Sequence, residues 1–336
     1  MATNDSNTPN SPPRRSAVAL RRITGAALVA ALVAGTAWAQ SDRPIKFILP
    51  VATASGVDTI ARAASPALAK ALGAPVVIEN QAGAGGIVGT SALVKSAPDG
   101  TTLSIVSNNH VIYPSVYKTI PFDPVADITP IAIVGSTPIV LVVNPKVPAN
   151  NIQELIALMK AKPGELNYAS SGNGTILHLA AAMFLDQAGV TAKHIPYKGV
   201  GPMLTDLIGG QVDFATSSLP SVQQHIKSGA LRALGVGTAK RLAAAPEIPT
   251  MVEQGMPNYL VEGWFAVIGP ARLPAADVKR INAAVAAAFA SPEVMDAMAR
   301  QGNTIAVSTP EYAEQFIRSE MTKYATIVKK IGLEPQ

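Results

Sequence analysis

Short apolar runs alternate regularly with helix-forming segments in this 336-residue chain, and turns of small polar residues join them. The apolar run at residues 45–51 precedes a helical pattern that begins near Thr59, and runs at 212–215 and 231–236 flank another. Such alternation predicts mainly parallel sheets with helices on both faces. The expected fold class is therefore α/β.

Residues 166–180 contain the most informative turn. An apolar run there leads into a Ser/Gly/Asn turn, and a helical pattern continues through Leu185. A helix start presents unpaired backbone N–H groups and the positive end of a dipole, which suits a carboxylate. Taken alone, the turn is better explained as an ordinary helix cap in which Thr175 or Asn173 satisfies the first turn without any ligand, since most such turns are only caps.

Similar small-residue turns recur along the chain. In residues 52–58, Ser55 and Gly56 would let a ligand approach the backbone, and Asp58 is expected to cap the next helix. A polar loop at 107–110 follows a predicted strand, and a glycine-rich turn precedes Pro202, the expected first residue of a helix. Several helix starts that converge from two lobes favour a carboxylate clamp over isolated caps.

The strand order predicts two lobes. Apolar runs at 131–134 and 139–143 suggest a strand that crosses into a second lobe, and residues 262–268 suggest the return strand. Helices at 275–290 and 310–330 are expected to pack on the first lobe. The predicted division is a signal peptide at 1–39, lobe I at 40–138 and 259–336, and lobe II at 139–258.

The N-terminus has the pattern of an export signal. Arginines at positions 14, 15, 21 and 22 precede an apolar segment at 23–35, and Ala37-Trp38-Ala39 forms a cleavage site. The alternative, an uncleaved anchor, is disfavoured because the apolar segment is short for a bilayer span. We expect a free periplasmic protein that is exported by general secretion.

Composition excludes several classes of function. The chain has no cysteine, so neither disulfides nor a lipidated cysteine can contribute. Four of its 27 basic residues lie before residue 40, and the rest of the chain has a net charge close to zero, which gives no support for nucleic-acid binding.

Neither a metal site nor a nucleotide site is indicated. The four histidines lack metal-ligand spacing, and residues 83–89 fit a dinucleotide fingerprint poorly because Val88 replaces its third glycine. We expect no metal or cofactor, a monomer, and close helix packing at 83–89.

Several motifs, taken in order, resemble one family. They are residues 78–86, 97–100, 166–175 with His178, 196–199 and 204–213. With them the chain resembles the periplasmic solute receptors of tripartite tricarboxylate transporters, often called Bug receptors, from about Pro44 to Gly332. The resemblance implies a two-lobed periplasmic binding protein, or Venus flytrap, that closes over a small organic acid and delivers it to membrane permease subunits.

The resemblance also implies where the ligand binds, namely between the loop after the first strand and the Ser/Gly turn of the second lobe. Combined with the turns above, the expected ligand-binding residues are Val51, Ala52, Ala54, Ser55, Gly56, Asp58, Asn109, His110, Ser170, Ser171, Gly172, Asn173, Gly174, Thr175, His178, Gly199, Val200, Gly201, Asp206, Ser217 and Ser218. The first loop departs from the family pattern, because Val51 replaces an aromatic residue and Ala54-Ser55 replace a glycine pair. The ligand, a dicarboxylate or an aromatic acid, therefore cannot be copied from a typical member.

Two other functions compete with transport. A closed receptor could instead report its ligand to a signalling protein. A serine hydrolase using Ser170 or Ser171 with His178 is disfavoured, because the chain lacks the G-x-S-x-G pattern and an orienting acid. We expect a binding protein and no enzyme.

Overall fold

The structure is a computed structural model that describes residues 1–3 and 43–335. Apart from residues 1–3, the predicted signal peptide lies outside the described residues. The remainder, Pro44–Gln336, is one compact unit. None of the helices in the described ranges is both long enough and apolar enough to cross a bilayer.

Ten strands are described. They are β1 Ile45–Leu49, β2 Val76–Asn80, β3 Thr102–Ser107, β4 Ile128–Val143, β5 Asn167–Ser170, β6 Lys193–Pro196, β7 Phe214–Ser218, β8 Arg232–Val236, β9 Glu262–Pro270 and β10 Thr304–Ile305. The α-helices are α1 Gly56–Leu72, α2 Ile87–Val94, α3 Asn109–Val116, α4 Ile152–Ala161, α5 Ile176–Ala188, α6 Val200–Gly209, α7 Leu219–Lys227, α8 Ala275–Phe289, α9 Pro292–Arg300 and α10 Pro310–Lys330. A short 3₁₀ helix at Ala84–Gly86 precedes α2.

The strands form one connected sheet in the order β2-β1-β3-β9-β4-β7-β5-β6, with β8 and β10 also paired to β4. The outer strands are parallel, as expected, because β1 pairs with β2 and β3, and β5 pairs with β6 and β7. The central strands β4 and β9 are antiparallel to each other and to the neighbours on either side. The fold is thus α/β with a mixed centre.

The crossing segment is one continuous strand. As the sequence suggested, the apolar runs at 131–134 and 139–143 belong to one crossing strand, β4, which runs for 16 residues and absorbs its irregularities as register shifts. Residues 128–138 pair with β9, and residues 139–143 pair with β7 and β8. Large buried clusters lie on both sides of this crossing, one including Phe47, Phe265 and Phe289, the other including Phe184 and Phe214.

Three helix starts differ from the sequence expectation. Helix α1 begins at Gly56 because Ser55, and not Asp58, is the N-cap and accepts a hydrogen bond from the Asp58 N–H. Helix α6 begins at Val200, two residues before Pro202, with Gly199 as its N-cap. The apolar run predicted at 212–215 extends to Ser218 as β7, so that α7 begins directly after the strand, at Leu219.

Gly135 tests the packing of the crossing strand. A Cβ there would collide with the carbonyl oxygen of Thr304 on β10, so we expect Gly135→Ala to lower the free energy of unfolding by about 1–3 kcal/mol. Gly209→Ala is the matched control, because no atom lies within 4 Å of its added Cβ, and it should be neutral or stabilise by up to about 1 kcal/mol. Urea denaturation of both variants measures the difference, and equal stabilities would contradict the strand packing described.

Candidate functional site

A cavity of about 700 Å³ lies at the carboxyl ends of the strands. Its wall includes residues that follow β1 and β3 on one side and residues that follow β5, β6 and β7 on the other. Open α/β sheets place ligands at this edge, because the helices that follow parallel strands begin there. Lys198 is the one charged side chain on the wall within the described residues.

Twelve of the predicted binding residues line this cavity. They are Val51, Ala52, Ser55, Gly56, Asn109, Ser171, Gly172, Asn173, Thr175, Gly199, Val200 and Ser218. These residues come from five separate turns, and only the tertiary fold brings the turns together. Nine others do not reach the wall, namely Ala54, Asp58, His110, Ser170, Gly174, His178, Gly201, Asp206 and Ser217.

The loop between β1 and α1 forms one wall. Ser55 accepts the Asp58 N–H at 3.2 Å, which leaves the N–H groups of Gly56 and Val57 without an acceptor in the described part of the chain. Asp58 is turned away from the cavity, since its carboxylate accepts the Ala54 N–H at 3.1 Å and pairs with Arg62 at 2.9 Å. The cavity therefore meets the positive end of α1 without a facing carboxylate.

Loops from the two sides contact each other across the cavity. A Cβ on Gly199 would lie 2.5 Å from the Cβ of Ala52, and Ser221 donates a hydrogen bond to the Ala54 carbonyl oxygen at 2.9 Å. Ala54 has a φ of 64°, so its backbone is strained for an L-residue and its atoms serve these contacts rather than the wall. The two sides of the cavity therefore touch at these loops.

The turn between β5 and α5 is held by its own hydroxyl groups. Thr175 donates to the Gly172 carbonyl oxygen at 2.9 Å, accepts from Ser171 at 3.2 Å, and caps α5 by accepting the His178 N–H. Asn109 accepts the Ile176 N–H at 2.9 Å and so connects this turn to the start of α3. The helix-cap explanation is thus correct for Thr175, although the same residue also lines the cavity.

Helix α6 contributes a second positive end from the same side. Its N-cap, Gly199, supplies no side-chain cap, and the N–H groups of Val200 and Gly201 have no acceptor among the described residues. A Cβ on Gly201 would meet no atom within 4 Å, so this residue faces open space and not the wall. The wall therefore combines uncapped N–H groups from α1 and α6.

The predicted residue His178 and a second histidine, His194, lie behind the Ser/Gly turn. The rings of His178 and His194 stack with centroids 3.9 Å apart, and Tyr168 stacks on His194 at 4.8 Å. His178 Nδ1 accepts the Gly174 N–H at 3.1 Å, and His194 Nε2 lies 2.7 Å from Ser170 Oγ. These contacts support the turn from the side opposite the cavity.

Burial keeps this pair neutral. Burial lowers the pKa of His178 to about 3, with a further contribution from the neighbouring His194, and burial lowers the pKa of His194 to about 4. Ser170 is fully buried, and its hydroxyl is bonded to His194 and to Gly172. Ser171 does line the cavity, but its hydroxyl donates to Thr175 and not to a histidine, and His178 Nδ1 is taken by the Gly174 N–H. Neither serine therefore forms the Ser–His178 pair that the hydrolase hypothesis requires, and that hypothesis is wrong.

The remaining four predicted residues have structural partners or face elsewhere. His110 is fully buried with Nε2 2.7 Å from the Pro124 carbonyl oxygen, and burial lowers its pKa to about 4. Asp206 accepts from the Tyr197 hydroxyl at 2.7 Å, and Gly174 packs against Val116. Ser217 precedes Ser218 on β7 and so points to the opposite face of the sheet.

Sequence reasoning missed several residues of the wall, namely Gly83, Ala84, Gly85, Gly86, Ser107, Asn108, Tyr117, Thr137, Tyr197 and Trp264. The glycine segment does pack closely, since a Cβ on Gly86 would meet the Tyr113 hydroxyl and the Pro50 carbonyl, but it also borders the cavity. A sequence signal for residues 83–86 did exist, because they belong to one of the motifs that carry the family resemblance. No local pattern pointed to Thr137, which lies within a strand.

The chemistry of the wall suits an organic anion. Within the described ranges, no group of three His, Cys, Asp or Glu side chains is placed to hold a metal ion. Uncapped helix starts supply N–H donors, and Val51, Ile139 and Trp264 supply apolar contact. Fold and site together define a periplasmic binding protein of the α/β type.

Comparison with known proteins gives the family. The model of the tripartite tricarboxylate transporter family receptor matches residues 60–333. Protein BugT of Bordetella pertussis is 38% identical over 292 residues, which are 86% of this chain and 90% of BugT. The chain belongs to this receptor family, which is a family of binding proteins and not of enzymes.

Solved structures agree with this family assignment. The periplasmic binding protein BugD is 30% identical, with a TM-score of 0.84 over 88% of this chain and 99% of BugD. An R. palustris protein solved with adipate is 29% identical, with a TM-score of 0.84 over 88% of this chain and 99% of that one. The predicted family and fold class are confirmed.

The histidine stack predicts a pH dependence of stability. The folded pKa values lie below the ordinary value of 6.5, so the unfolded chain binds more protons, and the free energy of unfolding should fall as pH drops from 6.5 towards 4. His178→Asn keeps an acceptor for the Gly174 N–H but removes one titrating ring. It should reduce the slope by about 1.4 kcal/mol per pH unit.

Urea denaturation at a series of pH values measures that slope. Tyr168→Phe is the matched control, because it changes the same stack without removing an imidazole and should keep the wild-type slope between pH 4 and 6.5. An unchanged slope in His178→Asn would show that this histidine is not held neutral by the fold.

Proposed function

We propose that this chain captures a small carboxylate, either a dicarboxylate or an aromatic acid, and delivers it to the membrane permease of a tripartite tricarboxylate-type transporter. Capture would occur by closure of lobe I, residues 40–138 and 259–336, on lobe II, residues 139–258. Export by a cleavable signal at residues 1–39 and action as a monomer belong to the same proposal.

One observation carries the carboxylate assignment. The cavity combines N–H groups that have no acceptor, at the starts of α1 and α6, with a wall on which, among the described residues, no Asp or Glu side chain lies. Backbone N–H groups bind carboxylates with charge-assisted hydrogen bonds, and the positive helix ends favour a negative charge. The similar R. palustris protein solved with adipate supports a small acid as the ligand.

A thermal-shift panel of acetate, succinate, adipate, citrate and benzoate tests the proposal. An acid present at 100 times its dissociation constant should add about 2.7 kcal/mol of apparent stability. Fluorescence of Trp264, which is buried on the cavity wall, gives a second readout, and Trp264→Phe is its control. A protein that responds to none of these acids by either readout would refute carboxylate capture.

A substitution at Lys198 tests the electrostatic contribution to carboxylate binding. Its exposed ammonium group borders the cavity, so Lys198→Gln should weaken carboxylate binding about two- to fivefold, since solvent and salt screen an exposed charge. Lys193→Gln is the matched control, because Lys193 is exposed at the start of β6 and away from the wall. Calorimetric titration at low and high salt should show a difference that shrinks with salt, and equal affinities for both variants at low salt would contradict the role of Lys198.

A further inference from the structure

Thr137 carries a buried hydroxyl group without a partner. The residue is 7% exposed, its Oγ1 has no hydrogen-bond partner among the described residues, and it lines the cavity. A buried hydroxyl without a partner destabilises the fold, because water has been removed from it and nothing replaces the lost hydrogen bond. The hydroxyl is therefore available to a bound molecule.

The neighbouring strand fixes the direction of this hydroxyl. Thr137 pairs with Gly263 on β9, and a Cβ on Gly263 would lie 2.7 Å from the Thr137 methyl carbon, so the methyl group fills the space that glycine leaves. Threonine is β-branched and has few side-chain conformers, so the methyl position determines that of Oγ1. Oγ1 lies 3.9 Å from where a Cβ on Gly56 would stand, at the start of α1.

The start of α1 adds two donors at the same place. The N–H groups of Gly56 and Val57 have no acceptor in the described chain, and both residues line the cavity. Asp58, the acidic residue of this first turn, is paired with Arg62 and does not face the cavity. Thr137 and the two N–H groups thus present three donors to one region of the cavity.

The side-chain hydrogens of Ser218 and Asn108, which also lie near this region, already have acceptors. Ser221 donates to the Ala54 carbonyl oxygen, so the 2.8 Å contact between Ser218 and Ser221 requires Ser218 to be the donor. The amide hydrogens of Asn108 go to the Glu262 carbonyl oxygen and the Tyr324 hydroxyl. Among the described residues, the Thr137 hydroxyl at this end is buried without any partner, whereas the Ser55 hydroxyl at the start of α1, whose own hydrogen also has no acceptor there, already accepts the Asp58 N–H.

This region is distinct from the Ser/Gly turn that follows β5. Strand β7 lies between β4, which carries Thr137, and β5 in the sheet. Two strand spacings separate the two places by about 10 Å at the sheet edge. One carboxylate group cannot contact both.

We infer that Thr137 Oγ1 and the N–H groups of Gly56 and Val57 form a second anion subsite, which selects a linear dicarboxylate over monocarboxylates and aromatic acids. The inference rests on the proposed function and specifies the ligand of that same cavity. One carboxylate binds at the turns that begin α5 and α6, and the other accepts hydrogen bonds from Thr137 and the start of α1.

Calorimetric titration of wild type, Thr137→Val and Thr137→Ser tests the inference. Valine keeps the shape of threonine without the hydroxyl, serine keeps the hydroxyl, and Ser136→Ala is the matched control because the preceding side chain on β4 points to the other face of the strand. The probes are succinate, glutarate and adipate, with butyrate and hexanoate as monocarboxylates and benzoate as the aromatic acid.

Thr137→Val should weaken the best dicarboxylate about ten- to a hundredfold, the loss expected for one hydrogen bond to a charged group, and should change any monocarboxylate affinity by less than about twofold. Thr137→Ser and Ser136→Ala should stay near wild type. Unchanged dicarboxylate affinity in Thr137→Val, or tighter wild-type binding of hexanoate or benzoate than of every dicarboxylate, overturns the subsite but leaves carboxylate capture intact. Failure of the wild type to bind any acid overturns both.

Discussion

The antiparallel pairing of β4 with β9 connects the two sides of the cavity. It runs from Ile128 opposite Pro270 to Pro138 opposite Glu262, and the parallel strands attach beyond it on both sides. Because these two strands belong to both sides, the carboxyl ends of the flanking parallel strands face one cleft. The helices that follow those strands must then begin at the cavity, which is why its donors are mostly backbone N–H groups.

Anion recognition by backbone groups explains the small residues on the wall. Gly199 and Ala52 can approach across the cleft only because neither carries a large side chain. Ala54 occupies a left-handed conformation at a place where the resemblance led us to expect glycine, and its N–H and carbonyl groups are held by Asp58 and Ser221. The substitution keeps the loop shape at the cost of backbone strain.

The residues that sequence reasoning misplaced share one property. Asp58, His110, His178 and Asp206 are polar residues near predicted turns, and each has a protein partner away from the cavity. A motif shows that a polar side chain lies near a strand end. It does not show whether that side chain faces the cavity or supports the loop from behind, because this depends on which distant segment packs against it.

The sequence predicted the alternation of strands and helices, and it predicted the positions of most helix starts to within three residues. It also indicated the family. All of these depend on local pattern and short motifs. Only the tertiary structure placed Thr137 and Gly83–Gly86 on the wall of the same cavity as the turn at Ser171. The direction of a strand side chain and its burial are set by register with strands far away in the chain. Thr137 faces the start of α1 because Gly263, 126 residues later, leaves room for its methyl group.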